Sequence, residues 1–475
     1  MLSIIFFSII GLSVLIALAA RLGTSKNMSI SEYLVGGRSF PAWLLYFLAV
    51  GEIYSIGTMI GLPSGVYAHG ARDAIWFLGY ILLAYPLGYY GGPLIWRAGV
   101  RYNAMTIPDV FGSHFRSRTL EVVTALALLV ALIPWGQYQF IGLQVVLGAL
   151  GLPITPVQAV VLAAVIAFIY LFVSGVRSPA FVAILKDVFM LLGILIVGIF
   201  AAYAAGGTEP IFSKEHIAEP MITLSGSSLV FTISTIVIQS ITFYLGFSAA
   251  FLFTAKSERA VKSSTVWMPM YMLMYPFLII ASFYAISAFP NLAKPNTVFM
   301  HTTLALLPPW LVGIVAAGAG LSGLLVLATT SLVIGGTVTR NLVPNVRPEI
   351  QKRVSNIVIA VFLVFAAWLT LAGSTLMLTV LNLTYYLLGQ FVPGWIALMF
   401  FKRVKGWAVA IGMIVGLVVA IAFYITKPDF GGINAGLIAV LINLAITFGL
   451  SLFGERVERT PMCDWSPDAQ RGATN

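Results

Sequence analysis

GEIYSIGTMIGLPSGVY, residues 51–67, lies within a long apolar run yet carries Glu52, Gly57, Gly61, Pro63 and Gly65. Proline deletes one helical hydrogen bond and glycine loosens the backbone, so the pattern predicts a helix broken near its middle. Inside a bilayer such a break is tolerated only where the freed backbone lines a cavity. Five apolar segments later, QSITFYLGFSAAF (239–251) sets polar groups and Gly246 in the middle of another run. Interrupted helices at matching places in two five-helix halves are the pattern of a secondary transporter built from inverted repeats. The offset is odd, so the halves cross the membrane in opposite directions, as that architecture requires.

The membrane setting follows from composition. Of 475 residues, 60% are hydrophobic and 9% charged, and the mean hydropathy is +0.99. Apolar segments of about 20 residues, the length of a bilayer-crossing helix, recur from end to end. The expected fold class is all-α: a polytopic membrane protein with 13 transmembrane helices. They lie near 2–20, 41–66, 74–96, 119–148, 155–174, 179–204, 228–254, 264–289, 309–338, 354–373, 376–401, 406–426 and 432–453. The N-terminus lacks a basic region and a small-residue cleavage site, so the first span is expected to stay. The outer loops at 206–227 and 290–308 carry Gly, Pro and mixed charge, and either can hold a short gate helix.

Lys and Arg set the orientation. One set of alternating loops, from Arg21, Lys26 and Arg38 to Arg456, Arg459 and Arg471 in the tail, holds 22 of the 26 basic residues. The other holds only Arg72, Lys214, Lys294 and Lys427. A missed or invented span would destroy that split, so it supports the count as well as an outside N-terminus and a cytoplasmic C-terminus. The expected location is the cell (inner) membrane. The net charge of +10 is thus a topology signal, and no soluble basic face exists for nucleic acid. The basic loops lie near anionic headgroups of the lipid bilayer. The lone Cys463 allows no disulfide within the chain, the four His residues lack metal-ligand spacing, and no nucleophile–base arrangement is visible. Neither an enzyme, a cofactor, a resident metal nor an obligate protein partner is expected.

Local motifs then converge. SEYLVGGRS (31–39) resembles the motif before the second span of the solute:sodium symporter family, and GLPSGVYAHG (61–70) resembles its broken-helix segment. RYNAMTIPDVFGSHFRSR (101–118) is similar to its cytoplasmic loop, and GVRSPAFVAILKD (175–187) and TAKSERAVKSS (254–264) to two further segments. The resemblance covers roughly residues 30–345, and VSGVRSPAFVAILKD with TRN (339–341) most resembles the monocarboxylate-permease branch. It implies a LeuT-type 5+5 inverted repeat with one extra N-terminal helix. A single transporter domain then spans 1–454, with repeats at about 40–205 and 228–402 and extra helices at 1–21 and 406–453. Residues 455–475 form a short cytoplasmic tail, polar and expected to be mostly disordered. The implied activity is symport of a small organic solute, a monocarboxylate among the candidates, with a cation by alternating access. A substrate-sensing membrane protein without net transport is the competing class.

Site candidates follow from polarity inside spans. Tyr54, Ser55 and Thr58 sit beside the expected break, where they either meet solute or cap their own backbone. Gln137 and Gln139 flank Tyr138 in PWGQYQF (134–140), and one of the two can line a cavity. Tyr244, Ser248, Tyr385, Tyr386 and Gln390 are similar candidates on the seventh and eleventh spans. Glu52 is an intramembrane acid, functional by default, or else a structural carboxylate pairing with Lys186. The resemblance puts cation-coordinating carbonyls near Gly51 and Tyr54.

Lys186–Asp187, within the apolar FVAILKDVFMLLGILIVGIF (181–200), departs from the family. The family usually reads Thr–Asp there, and the aspartate takes part in cation passage. A second departure lies in the ninth span. Counting back from Thr339–Arg340–Asn341, the hydroxyls that complete a sodium site fall on Leu325 and Val326, and neither is a sodium ligand. Together the departures favour H+ over Na+ as the coupling ion, with the Lys186 ammonium in sodium's place. The alternative is Na+ coupling through Thr329, one turn further, with Thr330 and Ser331, while Lys186 snorkels to the surface.

Overall fold

The computed structural model describes residues 1–22, 29–174, 176–215, 217–246, 248–343, 347–373, 375–455 and 457–467. Lys26, Gly175, Arg456, Arg471 and the end of the tail lie outside the described residues. Helices dominate, and the described residues form no strand beyond one isolated parallel bridge between Phe40 and Ala255.

The first half comprises α1 (Leu2–Leu22), the interrupted α2 (Ala42–His69), α3 (Ala71–Arg101), α4 (Arg118–Ala149), α5 (Pro156–Ser174) and α6 (Arg177–Ala204). The second comprises α7 (Gly226–Leu245), followed by the short helix Ala249–Leu252, then α8 (Glu258–Ala288) and α9 (Pro309–Thr337). It closes with α10 (Pro348–Ala372), α11 (Met377–Phe400), α12 (Gly406–Thr426) and α13 (Ala435–Ser451). Among the described residues, eleven helices are long and apolar enough to cross a membrane. Two shorter apolar helices, Pro156–Ile169 and Ala435–Ser451, stand where the sequence predicts the fifth and thirteenth spans. Eleven of the thirteen expected spans thus meet the length and hydropathy of a membrane crossing among the described residues. Of the two loops expected outside, the second holds a nine-residue helix, Val298–Leu306, and the described residues of the first include the short helical turns Pro210–Phe212 and Glu219–Ile222.

α2, α3, α7 and α8 pack as one group, and α4, α9 and α10 as another, with α6 touching both. α9 is the most enclosed element, since glycines let neighbours approach its backbone. A Cβ on Gly318 would lie 2.7 Å from the Phe189 backbone of α6.

The loops rich in Lys and Arg share one end, called here the basic end. Arg38, before α2, donates to Ala104 O and Phe253 O. Arg340, at the end of α9, meets Asp109 at 3.0 Å, in the helix Ile107–Phe115 that Thr106 and Asp109 cap. Asn341 donates to Asp109 and Glu121 at 2.7 and 2.8 Å. Residues 457–467, the described part of the tail, pack against the bundle. Arg459 donates to Val404 O and Phe115 O, while Arg97 and Arg101 hold the backbone at Trp465 and Thr460. Met462 and Trp465 are buried as well, so apolar contact adds to these arginine–carbonyl bonds. At the far end, Asn296 joins Thr375 O and Met377 N.

Candidate functional site

The helix Ala42–Ile53 stops at Tyr54, whose φ of −93° and ψ of 71° are not helical. Ser55 stabilises the turn, its Oγ accepting from Gly57 N at 3.1 Å and its carbonyl from Thr58 N at 3.0 Å. The chain resumes as a π-helical turn, Gly57–Gly61, and then Leu62–His69. The break leaves the Tyr54 carbonyl without its helical donor, and a side chain from α6 supplies one: Lys186 Nζ donates to it at 3.1 Å.

Lys186 is completely buried, and its Nζ stands 2.5 Å from Asp187 Oδ1, an ion pair without hydrogen-bond alignment. Tyr46 and Tyr271 lie beside Asp187, and the Tyr271 ring stacks on Tyr54 at 5.0 Å. Glu52 is buried near Lys186, and neither of its oxygens has a hydrogen-bond partner. A Cβ on Gly51 would lie 2.9 Å from Leu325 Cδ2 and 3.2 Å from Ala183 Cβ, so α2, α6 and α9 meet here and Leu325 fills the gap. Thr329 Oγ1 donates back to Leu325 O or Val326 O, at 3.2 and 3.0 Å. Ser331 bonds to Leu327 O in the same way, and Thr330 is buried.

A second cluster lies one turn further along α2. Tyr138 of α4 packs its hydroxyl against the π-turn, so close that a Cβ on Gly57 would stand 1.9 Å from it. Tyr80 of α3 and Tyr385 of α11 approach with ring centroids 5.5 Å apart, and Phe243 of α7 lies 6.2 Å from Tyr80. Phe77 connects Tyr80 to Tyr275 of α8, at 5.5 and 6.3 Å. The hydroxyls of Tyr80 and Tyr385 are neighbours. Those of Thr58, Tyr138 and Tyr275 are buried without an aligned partner, although Thr58 and Tyr275 are neighbours.

The structure brings only part of the sequence-based set together. Gly51, Glu52, Tyr54, Lys186 and Asp187 gather at the break, and Thr58 faces the tyrosines. Gln137 turns away and donates to Leu369 O of α10, because the helical step of 100° per residue points Tyr138 at α2 instead. Gln139 is buried with neither end of its amide partnered. Tyr244 lies against Gly88 and donates to Met268 Sδ at 3.3 Å, while Ser248 is buried without a partner. Tyr386 packs on Gly436 of α13 and Gln390 bonds to Asn443, so both face the peripheral helices; Tyr385 is the one that points inward. The sequence reading missed Tyr80, Tyr271 and Tyr275. The chain has 19 tyrosines, and no local pattern marks those that converge.

Above this cluster, toward the far end, a cavity of about 910 Å³ opens between α4, the helix Val298–Leu306 and the end of α10. Ile141, three residues beyond Tyr138, lines it, and Lys294 and His301 stand at its wall. Among the described residues, no cluster of three or more His, Cys, Asp or Glu is placed to hold a metal ion.

Residues 33–416 match the pattern of the Sodium:solute symporter family. An uncharacterized symporter of Bacillus subtilis, YhjB, is 26% identical over 96% of this chain and 97% of its own. A monocarboxylate transport permease protein of Rhizobium johnstonii is 25% identical over 72% and 70%. The structure of a Na+-coupled sialic acid symporter, substrate-bound and outward-open, superimposes with a TM-score of 0.79 at 14% identity, covering 96% of this chain and 98% of that one. These match the motif-based expectation for both family and fold.

Proposed function

Because the chain belongs to the sodium:solute symporter family, we propose that it is a proton-coupled symporter carrying a small monocarboxylate inward across the cell membrane. The single observation that carries proton coupling is the place of Lys186. Its ammonium occupies the carbonyl freed by the α2 break, and Leu325, to which the motif resemblance would assign a sodium-ligating hydroxyl, packs on Gly51 instead. A monovalent cation is thus built into the protein. Coupling then comes from the difference between two conformations. With the bundle closed, Tyr54 O and Asp187 hold Lys186 Nζ; parting α2 from α6 separates it from the Tyr54 carbonyl. Glu52, buried nearby without a donor, is the second acid–base group of the pathway.

The monocarboxylate assignment is supported by the Rhizobium relative and by a central cluster rich in hydroxyls. The N-terminus is placed outside and the C-terminus inside, supported by the loops that meet at the basic end. Sodium coupling through Thr329 and Thr330 is the second reading, favoured by the sodium-coupled structural neighbour. Uptake of labelled lactate into sodium-free proteoliposomes separates the two. Accumulation under an imposed inward pH gradient, abolished by a protonophore, is the expected result. Accumulation only under a sodium gradient selects the second reading. No gradient-driven uptake of any member of a panel of acids, amino acids, sugars and vitamins removes both.

A further inference from the structure

The described part of the tail lies across the seam between the two helix groups at the basic end. Its first anchor is Arg459. The Arg459 backbone N donates to Lys402 O at 2.9 Å, and its guanidinium donates to Val404 O at 3.1 Å and to Phe115 O at 2.9 Å. Phe115 ends the helix Ile107–Phe115, which Arg340 and Asn341 join to α9 through Asp109. Phe111 of that helix meets Trp395 of α11 at 5.4 Å. The next anchors sit on the other group. Arg101, at the end of α3, donates to Thr460 O at 3.0 Å, and Arg97 donates to Trp465 O at 3.2 Å. Arg97 also holds Glu258, the first residue of α8, at 3.0 Å. Between these anchors the turn Met462–Asp464 packs against α3 and the Val392–Phe400 part of α11, with Met462 completely buried.

The segment has no slack. Consecutive Cα atoms are about 3.8 Å apart, so Arg459 on one group and Thr460 on the other cannot part unless one set of anchors lets go. The anchors differ in strength. Lys402–Asp464 and Arg403–Glu458 are exposed at both partners, so water and salt leave them little. The arginine–carbonyl bonds are charge-assisted, those of Arg459 and Arg97 are part-buried, and Met462 and Trp465 add buried apolar surface. These set the hold. The seam itself is shut at the same end, where Ala250 and Phe251 of the short helix after α7 face Leu332 and Gly336 of α9 across a gap of about 20 Å³. Alternating access swings one group against the other, and opening at this end has to part both the seam and the tail's anchors.

We propose that residues 457–467 are a strap that restrains the basic end from opening and so biases the protein toward forms closed there. Release takes one of two routes. Either Arg459 leaves Phe115 O and Val404 O, or Arg97 and Arg101 leave Trp465 O and Thr460 O. One route suffices, because the freed tail then travels with the group that still holds it. The effect on transport rests on the symport reading above; the restraint on opening does not.

The test uses the full-length chain in proteoliposomes with Cys463→Ser, which removes its one native cysteine, and Ala250→Cys as a reporter in the seam. N-ethylmaleimide is the probe, applied without solute or ion gradient, and its labelling rate follows the population open at the basic end. Ending the chain after residue 456 should raise that rate about tenfold. Arg459→Gln, or Arg97→Gln with Arg101→Gln, should each give most of that rise, and the three together no more than the truncation. Independent structural contacts would instead multiply the two rises, and that result overturns the strap. So does an unchanged or slower rate after truncation. A second reporter, Ala285→Cys, is buried toward the far end of α8 and should stay unlabelled in every variant. Labelling of both reporters would mean that the whole fold has loosened, which also overturns the strap. Faster labelling at residue 250 without gradient-driven uptake of any solute removes the symport reading and leaves the strap in place. Unchanged labelling with pH-driven lactate uptake intact does the reverse.

Discussion

At the α2 break the gap in the backbone is closed by side chains from other helices: Lys186 takes the Tyr54 carbonyl, and Tyr138 lies on Gly57 and Gly61. At the α7 break it is closed by backbone. Gly246 N still reaches Thr242 O at 2.7 Å, and beyond the short helix Ala249–Leu252 the chain pairs with the segment before α2. That pairing runs from Phe40 N to Thr254 O at 3.0 Å and from Lys256 N to Phe40 O at 3.1 Å. Two halves with matching interruptions thus divide the work. The α2 break gathers the buried polar groups Glu52, Tyr54, Lys186 and Asp187. Beyond the α7 break, two backbone hydrogen bonds tie the basic-end segments of the two interrupted helices together.

The strongest way to break this contrast is Lys186→Met. Concentrative uptake should vanish in a pH-gradient assay, while exchange of labelled for unlabelled solute persists. Removing the cation also strands Asp187, so the melting temperature in detergent should fall, with Asp187→Asn in the same chain recovering part of it. Unchanged accumulation would show that Lys186 is a structural pair. Next in size is a gain of function: Lys186→Thr with Leu325→Ser and Val326→Thr should let a sodium gradient drive uptake that the parent lacks.

A third comparison sets the two glycines against each other. Gly57→Ala would force a Cβ to within 1.9 Å of the Tyr138 hydroxyl. Gly246→Ala meets nothing nearer than Thr242 O at 3.1 Å. The first should reduce uptake about tenfold or more and the second by about twofold at most, measured at equal membrane content. Equal losses would remove the asymmetry between the breaks.

The smallest effect is a control at the basic end. Burial, with Arg459 and Arg101 nearby, pushes His114 down to about 3. Its folded value lies below that of the unfolded chain, so the unfolded state binds more protons between pH 3 and about 6.5, and stability falls as pH drops through that window. His114→Gln should flatten the pH dependence of melting there and leave pH-driven uptake unchanged. Loss of proton-driven uptake in that variant would move proton coupling away from the α2 break.

Span positions, the interruption of α2 and the alternation of basic loops were legible in the chain itself, because a bilayer turns each into a local composition rule. Gly246 likewise marked the α7 break. Lys186–Asp187 stood out because charge inside an apolar run is expensive. Its reach toward Tyr54 O belongs to the three-dimensional packing of α6 on α2. The same limit explains Gln137, Tyr386 and the missed tyrosines. Which face of a helix looks inward depends on the rotation of that helix against its neighbours, and an all-apolar span carries almost no amphipathic signal to fix it. Sequence alone therefore determined that this is a membrane bundle with two broken helices and a charged pair at depth. Tertiary structure alone decided that Tyr138 rather than Gln137 packs on the α2 break and that Tyr385 rather than Tyr386 meets Tyr80, because those contacts form only when helices from both halves close around the break.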